Sequence, residues 1–368
     1  MFFSQSMASD VFLREHAPCA GDAFCRLRRR PLLTRATFLH TILFANHLHI
    51  QGNERSDSMK KYGLILLLAL LLAGCGTKKE EIAADKLTVV TSFYPVYLLA
   101  QEVTRGAAGV QLLNMAQPQT GCLHDYEMTI ADRRLLEQAD VLLVNGGGME
   151  SFLTQAIAQY PDLRIVDTSE GIELLETEHH HHEEEAAEEH EEHAHEHEHE
   201  GNPHTWLSPA RAAEQAQNIC DALSELDAAE QGLFAENTAA FRAQTDALLA
   251  EAATVGIPDG EFAAIFHEGF AYLTELFGMQ SAVEIFADEY QEPSAKELAF
   301  AVEEAQEHGI RYFLSADDDG KKYAAVLAAE GGQESITLDP LTMAQGNADS
   351  YAERMQRNID AIRAYGGR

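Results

Sequence analysis

The 368-residue chain has one tryptophan and ten prolines. It has five cysteines and no Cys-x-x-Cys pair, which excludes a disulfide-stapled scaffold and a cysteine-type zinc finger. Positive charge is also scarce: 26 Lys+Arg stand against 60 Asp+Glu, a formal net charge of −34. Such a chain repels phosphate, which excludes nucleic acid as a partner, and it attracts cations. What is present is a 46% apolar content, enough for a sizeable core, in a length that suits two domains or one long one.

The charge is unevenly spread. Residues 1–58 carry seven basic and five acidic side chains, whereas 17 basic and 55 acidic side chains follow from Cys75 onward. Ten of those acids and nine of the 17 histidines fall in the 22 residues 179–200.

Met59-Lys60-Lys61 precedes an apolar run from Tyr62 to Ala73, then Leu72-Ala73-Gly74-Cys75. A basic start, a short apolar stretch and small residues make a secretion signal. The run is too short to span a bilayer. Leu-Ala-Gly-Cys resembles a bacterial lipobox, which implies cleavage before Cys75, a lipid on its thiol and anchoring at the outer face of the cell membrane. Residues 1–58 then read as an upstream extension assigned by a wrong start codon: Glu54-Arg55-Ser56 can be encoded with an AGGAG run just before the Met59 codon. Residues 59–75 are the signal and its cysteine, and 76–86 a polar tether.

Beyond the tether, short β-branched runs alternate with helical patterns, the signature of parallel sheets covered by helices. Strands are expected at Leu87–Thr91, Gln111–Asn114, Val141–Asn145 and Arg164–Asp167, and again at Phe262–Phe266, Ser281–Phe286, Tyr312–Ser315 and Ile336–Asp339. Helices are expected at Thr129–Ala139, Ser151–Gln159 and Ser294–His308, the last with Ser294 and Glu297 as a capping box. The expected fold is α/β: two (β/α)4 lobes, 87–226 and 256–368, joined by a long rigid helix within 227–255. The His/Glu-rich stretch, bounded by 176–201, has no branched apolar residue and reads as a disordered loop inserted in the first lobe.

In open α/β sheets ligands bind beyond the carboxyl ends of strands. Four candidates fall there: His124, His204, His267 and Asp339, two from each lobe. Outside the first 75 residues, the His-rich run and His308, these three are the only histidines. Three neutral imidazoles and a carboxylate suit Zn²⁺, with Mn²⁺ as competitor. A lone histidine near a strand end is more often a hydrogen-bonded loop residue, and it is the shared placement of the three that favours the metal. The His195–His199 match to H-E-x-x-H is expected by chance in alternating His and Glu. Gly146-Gly147-Gly148 reads as a tight turn rather than a phosphate cradle, since no lysine follows it. Trp206 reads as packing at the cleft wall. Cys122 and Cys220 could pair, which spacing alone leaves open.

The stretches TSFYPVYLLA (91–100), GCLHDYEMT (121–129), LEQADVLLVNGGGMESFL (136–153), NPHTWLSP (202–209), IFHEGFAYL (265–273), EPSAKEL (292–298) and TLDPL (337–341) resemble, in order, the metal-type substrate-binding lipoproteins of bacterial ABC importers. The resemblance implies metal held in an interlobe cleft by His124, His204 and His267. It implies Asp339 as the matching position for a fourth ligand that varies in the family. It also implies delivery of Zn²⁺ as cargo to an ABC permease with its ATPase, by a monomer that is not an enzyme. The acidic His-rich insertion resembles the zinc-specific branch rather than the manganese one. Its His179, His180, His181, His182, His190, His193, His195, His197 and His199 form an auxiliary, rapidly exchanging metal loop, with a solvated spacer as the alternative. Competing readings are a manganese importer component, a surface zinc buffer or adhesin, and a three-histidine zinc hydrolase with Glu268 as base.

Overall fold

The computed structural model describes residues 86–116, 123, 126–176, 201–258, 260–284, 295–316, 318–344 and 350–366. They form two four-stranded parallel sheets, one in each lobe. In lobe 1 the strands are β1 (Leu87–Thr91), β2 (Val110–Asn114), β3 (Val141–Val144) and β4 (Arg164–Asp167), in the order β2-β1-β3-β4. Lobe 2 repeats the arrangement with β5 (Phe262–Ile265), β6 (Gln280–Glu284), β7 (Tyr312–Ser315) and β8 (Glu334–Thr337), in the order β6-β5-β7-β8.

The central strands read LTVVT and VLLV and are buried on both faces, as parallel strands under helices on either side must be. Alternation along β1 sends Val89 and Val90 to different cores. Val90, with Leu113 and Leu142, packs against Leu136 and Leu153 on the outer face of lobe 1. In lobe 2, Ala264 and Phe313 pack against Ala301, Ala305 and Ala324. The inner faces do not make two separate cores. Val89 and Leu143 of lobe 1, and Ile265, Leu314 and Ile336 of lobe 2, belong to one continuous cluster with the connecting helices.

Those helices are α1 (Tyr94–Thr104), α4 (Pro209–Leu226), α5 (Gln231–Ala252) and, at the end of the chain, α9 (Tyr351–Gly366). Between them in chain order lie α2 (Ile130–Leu136), α3 (Thr154–Ile157), α6 (Phe270–Leu276), α7 (Ala295–Glu307) and α8 (Asp318–Gly331). Ser208 caps α4, its hydroxyl accepting from the Arg211 N–H with Pro209 following, a combination that suits a helix start. The 22 residues of α5 reach about 33 Å. Phe234, Thr238, Phe241, Thr245, Leu248 and Ala252 recur every three or four residues and are all buried. Near its start, Asn237 Nδ2 donates to the carbonyls of Val103 (2.9 Å) and Arg105 (2.8 Å) at the end of α1. Farther along, Phe241 meets Tyr351 of α9 edge to face, centroids 5.2 Å apart. The spine helix is therefore bonded to both lobes.

Several boundaries shift by one to three residues from expectation, and three of the differences bear on the site. β8 begins two residues early and ends at Thr337, so Asp339 lies past the strand, where its N–H bonds the Asn358 side chain (2.8 Å) instead of a ladder partner. β3 stops at Val144 because the Asn145 N–H turns to the Glu150 carboxylate (2.7 Å). The helix expected over 151–159 is a 3₁₀ turn, Ser151–Leu153, and the single turn of α3. The capping box of α2 is formed by Thr129 and Asp132. The expected cap at Ser294 lies outside the described residues.

Candidate metal centre

His204 and His267 meet between the lobes. Their ring centroids are 5.1 Å apart with the planes at 76°. His204 leads into the 3₁₀ turn Thr205–Leu207 of lobe 1, and His267 follows β5 by two residues at its carboxyl end. His124 lies outside the described residues. So do Cys75, Cys122 and the nine histidines of the His-rich run. Among the described residues no group of three His, Cys, Asp or Glu side chains gathers at one point.

His204 is 1% exposed. Its backbone N–H donates to Asn202 Oδ1 at 3.0 Å, and its Nδ1 lies 2.9 Å from the same oxygen. A carbonyl oxygen only accepts, so facing Asn202 Oδ1 the Nδ1 carries the proton and the lone pair is on Nε2. Trp206 packs against the ring with centroids 4.9 Å apart, and meets Phe93 edge to face at 5.2 Å. The indole N–H donates to the Pro340 carbonyl at 2.9 Å, which ties the His204 turn to the residue after Asp339. Trp206 is thus a packed wall, as expected.

Asp339 is committed to structure. Arg354, 1% exposed, grips it in a fork, Nε to Oδ2 at 2.7 Å and Nη2 to Oδ1 at 2.6 Å. The Leu341 N–H adds a third bond to Oδ1 at 2.9 Å. A two-pronged charge pair of this kind is strong and directional. Asp339 could serve a cation only by sharing oxygens that already hold Arg354.

A buried polar network stands behind His204. Glu150 Oε1 accepts from Ser92 Oγ and the Asn145 N–H, both at 2.7 Å, and Oε2 accepts from the Gly146 N–H at 3.1 Å. Asn145 Nδ2 passes the chain on to the Pro203 carbonyl at 2.7 Å, directly before His204. Gln215 Nε2 donates to Asn145 Oδ1 (3.0 Å) and Thr168 Oγ1 (3.0 Å). Burial is the largest influence on Glu150 and pushes its carboxyl up to about 7, against the lowering effect of its three donors. The Gly146–Gly148 turn has φ of 86°, 61° and 84°, a run of left-handed conformations that glycine adopts without strain.

The lobe 2 turn is built differently. His267 is partly exposed, and its Nδ1 accepts from the Gly269 N–H at 3.1 Å. Gly269 is there because lobe 1 comes too close for a side chain. A Cβ at that position would lie 2.6 Å from Leu207 Cδ1 and 2.9 Å from His204 Cβ. Asn202 Nδ2 donates to the Glu268 carbonyl at 2.9 Å, and Tyr272 Oη donates to the Asn202 carbonyl at 2.6 Å.

The ends of the His-rich insertion are clasped. The Asn202 N–H donates to the Leu175 carbonyl at 2.7 Å, and the Leu175 N–H donates to Tyr272 Oη at 3.1 Å. Arg211 lies over the Tyr272 ring at 4.8 Å and holds the Glu173 carbonyl at 2.9 Å and the Glu275 carboxylate.

Asn202, Glu150, Gly269 and Tyr272 were not anticipated as site residues. A glycine opening a helix directly after His-Glu, and an asparagine two residues before a candidate ligand, were the available signals.

A family model described as "Zinc-uptake complex component A periplasmic" matches residues 89–365. The "High-affinity zinc uptake system protein ZnuA" of Bacillus subtilis is 30% identical over 316 residues, covering 82% of this chain and 96% of that protein. The "Zinc-binding lipoprotein AdcA" of Streptococcus pneumoniae is 29% identical over 318 residues, covering 83% of this chain but 61% of that longer protein. Among solved structures, a Zn(II)-bound AdcAII variant of Streptococcus pneumoniae matches with TM-score 0.62 and 24% identity, covering 77% of this chain and 100% of that one. The Ni²⁺ complex of FpvC from Pseudomonas aeruginosa matches with TM-score 0.63 and 21% identity, covering 77% and 97%. The last two likenesses speak to fold.

Proposed function

This chain belongs to the family of periplasmic zinc-uptake components, and we propose on that footing that it captures Zn²⁺ outside the cytoplasm and hands it to an ABC permease. The metal is cargo, and the chain is no enzyme. The observation that carries the reading is the pair of imidazoles brought to 5.1 Å, one from each lobe, inside a chain matched to the family over 89–365.

His124, His204 and His267 are the proposed ligands. Three neutral imidazoles leave the ion's charge uncompensated inside the protein, so a fourth donor, water or a carboxylate, completes the tetrahedron. Asp339 is the proposed carboxylate if Arg354 yields one oxygen, and water otherwise. Cys75 is the proposed lipid attachment, with the mature chain a tethered monomer. The nine histidines of the His-rich run are proposed as a weak auxiliary store. Mn²⁺ is the alternative cargo.

The test is metal analysis and calorimetric titration of the chain from residue 76, with and without 179–200. One tight Zn²⁺ site is expected to survive the deletion. Tighter binding of Mn²⁺ would overturn the zinc assignment. Loss of all tight binding on deletion would favour a zinc buffer.

A further inference from the structure

Asn202 touches the ligand-bearing turns of both lobes with opposite ends of one carboxamide. Its oxygen accepts from the N–H and Nδ1 of His204, at 3.0 and 2.9 Å, in lobe 1. Its nitrogen donates to the carbonyl of Glu268, the residue after His267, at 2.9 Å in lobe 2. The side chain is 2% exposed, so water does not readily replace either partner. An amide has one accepting and one donating end. While the Glu268 carbonyl takes the donating end, the accepting end must face His204.

We propose that Asn202 is a positioning residue that couples docking of lobe 2 to the metal-binding tautomer of His204. The inference rests on the reading of His204 as a zinc ligand. With oxygen facing Nδ1, the ring holds its proton there and Nε2 presents its lone pair to the ion. The Glu268 carboxylate, 4.0 Å from Nδ1, favours the proton there too and belongs to the same lobe 2 turn. When that turn withdraws, the amide loses the partner that orients its nitrogen. Turned over, it points an N–H at Nδ1. That nitrogen then accepts, and the ring's proton belongs on Nε2, where it blocks the metal. Separation of the lobes would thereby weaken zinc at His204 without moving His204 itself. The His204 N–H also favours the oxygen, so the coupling is partial. The Asn202 backbone is pinned from lobe 2 as well, its carbonyl accepting from Tyr272 Oη at 2.6 Å.

The test is histidine-selective ¹⁵N NMR of the mature chain, metal-free and zinc-loaded, with calorimetry alongside. The His204 signal is identified by its loss in H204A. Wild-type, metal-free protein is expected to show His204 protonated on Nδ1. In Asn202→Ala a mixture of tautomers should appear, with zinc bound 10- to 100-fold more weakly, as for loss of other groups that orient a ligand. In Asn202→Asp both ends accept, so the Nδ1–H form should be restored whatever lobe 2 does. Gly269→Ala, whose methyl would meet Leu207 and His204 and so push the Glu268 turn away, should shift the tautomer toward the mixture in the Asn202 background and leave it unshifted in the N202D background.

A wild-type tautomer in N202A would overturn the positioning role. An unshifted tautomer in G269A would overturn the coupling, and G269A with and without N202D decides this even if N202A does not fold. Failure of the wild-type chain to bind zinc tightly would sink the transport reading instead, and the metal-free spectra separate the two outcomes.

Discussion

The two lobes share a strand order and each sends one described imidazole to the interface, yet they hold that imidazole by different means. On the lobe 1 side, His204 is buried, bonded twice to Asn202, walled by Trp206 and backed by the Glu150–Asn145–Pro203 chain. On the lobe 2 side, His267 is partly exposed and receives a backbone N–H at Nδ1. A bond accepted at Nδ1 favours the proton on Nε2, the arrangement opposite to that of His204. If both are the proposed ligands, His267 would have to rearrange to bind through Nε2, whereas His204 would be preset. The difference teaches a division of labour: one lobe holds its imidazole fixed and the other leaves its imidazole adaptable.

Removing the donors tests the comparison most severely. His204→Ala should weaken zinc by more than the 10- to 100-fold associated with losing an orienting group. His267→Ala should weaken it by a comparable factor while changing the melting temperature of the metal-free protein less, because its ring is not enclosed. Calorimetric titration and metal-free melting curves measure both. Equal destabilisation by the two substitutions would erase the contrast.

Gly269→Ala should come next. The added methyl collides with Leu207 and His204, so the two turns must move apart. About tenfold weaker zinc with a retained fold is expected, on the scale of a lost ligand-orienting contact. An unchanged affinity would mean that the approach of the two turns does not matter to the ion.

Glu150 offers a pH test confined to the lobe 1 side. Its carboxyl stands near 7 in the folded protein and at the ordinary 4.5 when unfolded. The folded chain thus holds the proton more tightly between these values. The stability linked to Glu150 is fully present below pH 4.5 and is lost as pH rises through 7, by ~3 kcal/mol at most. Urea titrations of metal-free protein from pH 5 to 8 should show that decline in wild type and a flatter profile in Glu150→Gln. Parallel profiles would contradict it.

The smallest effect is expected at the clasp's outer edge. Arg211→Ala removes its pair with Glu275, its contact with the Tyr272 ring and its bond to the Glu173 carbonyl, and should cost about 1 kcal/mol in urea unfolding, leaving zinc affinity unchanged.

Much of this was legible in the chain. The β-branched runs placed all eight strands to within two residues, since a parallel strand buried on both faces carries its own pattern. The resemblance supplied His204 and His267 together. What escaped was of another kind. Asn202, Tyr272 and Glu268 meet across 66 or more residues of sequence, and no local periodicity encodes a partner that distant. Asp339 was expected as a candidate ligand, and its bond to Arg354, which depends on α9 folding back over the second sheet, was not legible. Strand ends slipped where side chains, Glu150 and Asn358, took over from ladder partners.

The inner cluster that runs from Val89 through Phe241 to Ile336 has a consequence for how the molecule fails. Two lobes with private cores could melt one after the other, and an ion between them would protect only the contact surface. A core held in common makes the lobes, with the spine between them, one cooperative unit. An ion bound at one seam therefore stabilises every strand on both sides of it, by the same free energy. Occupancy would be written into the resistance of the whole folded unit to unfolding and proteolysis, far from the seam where His204 meets His267.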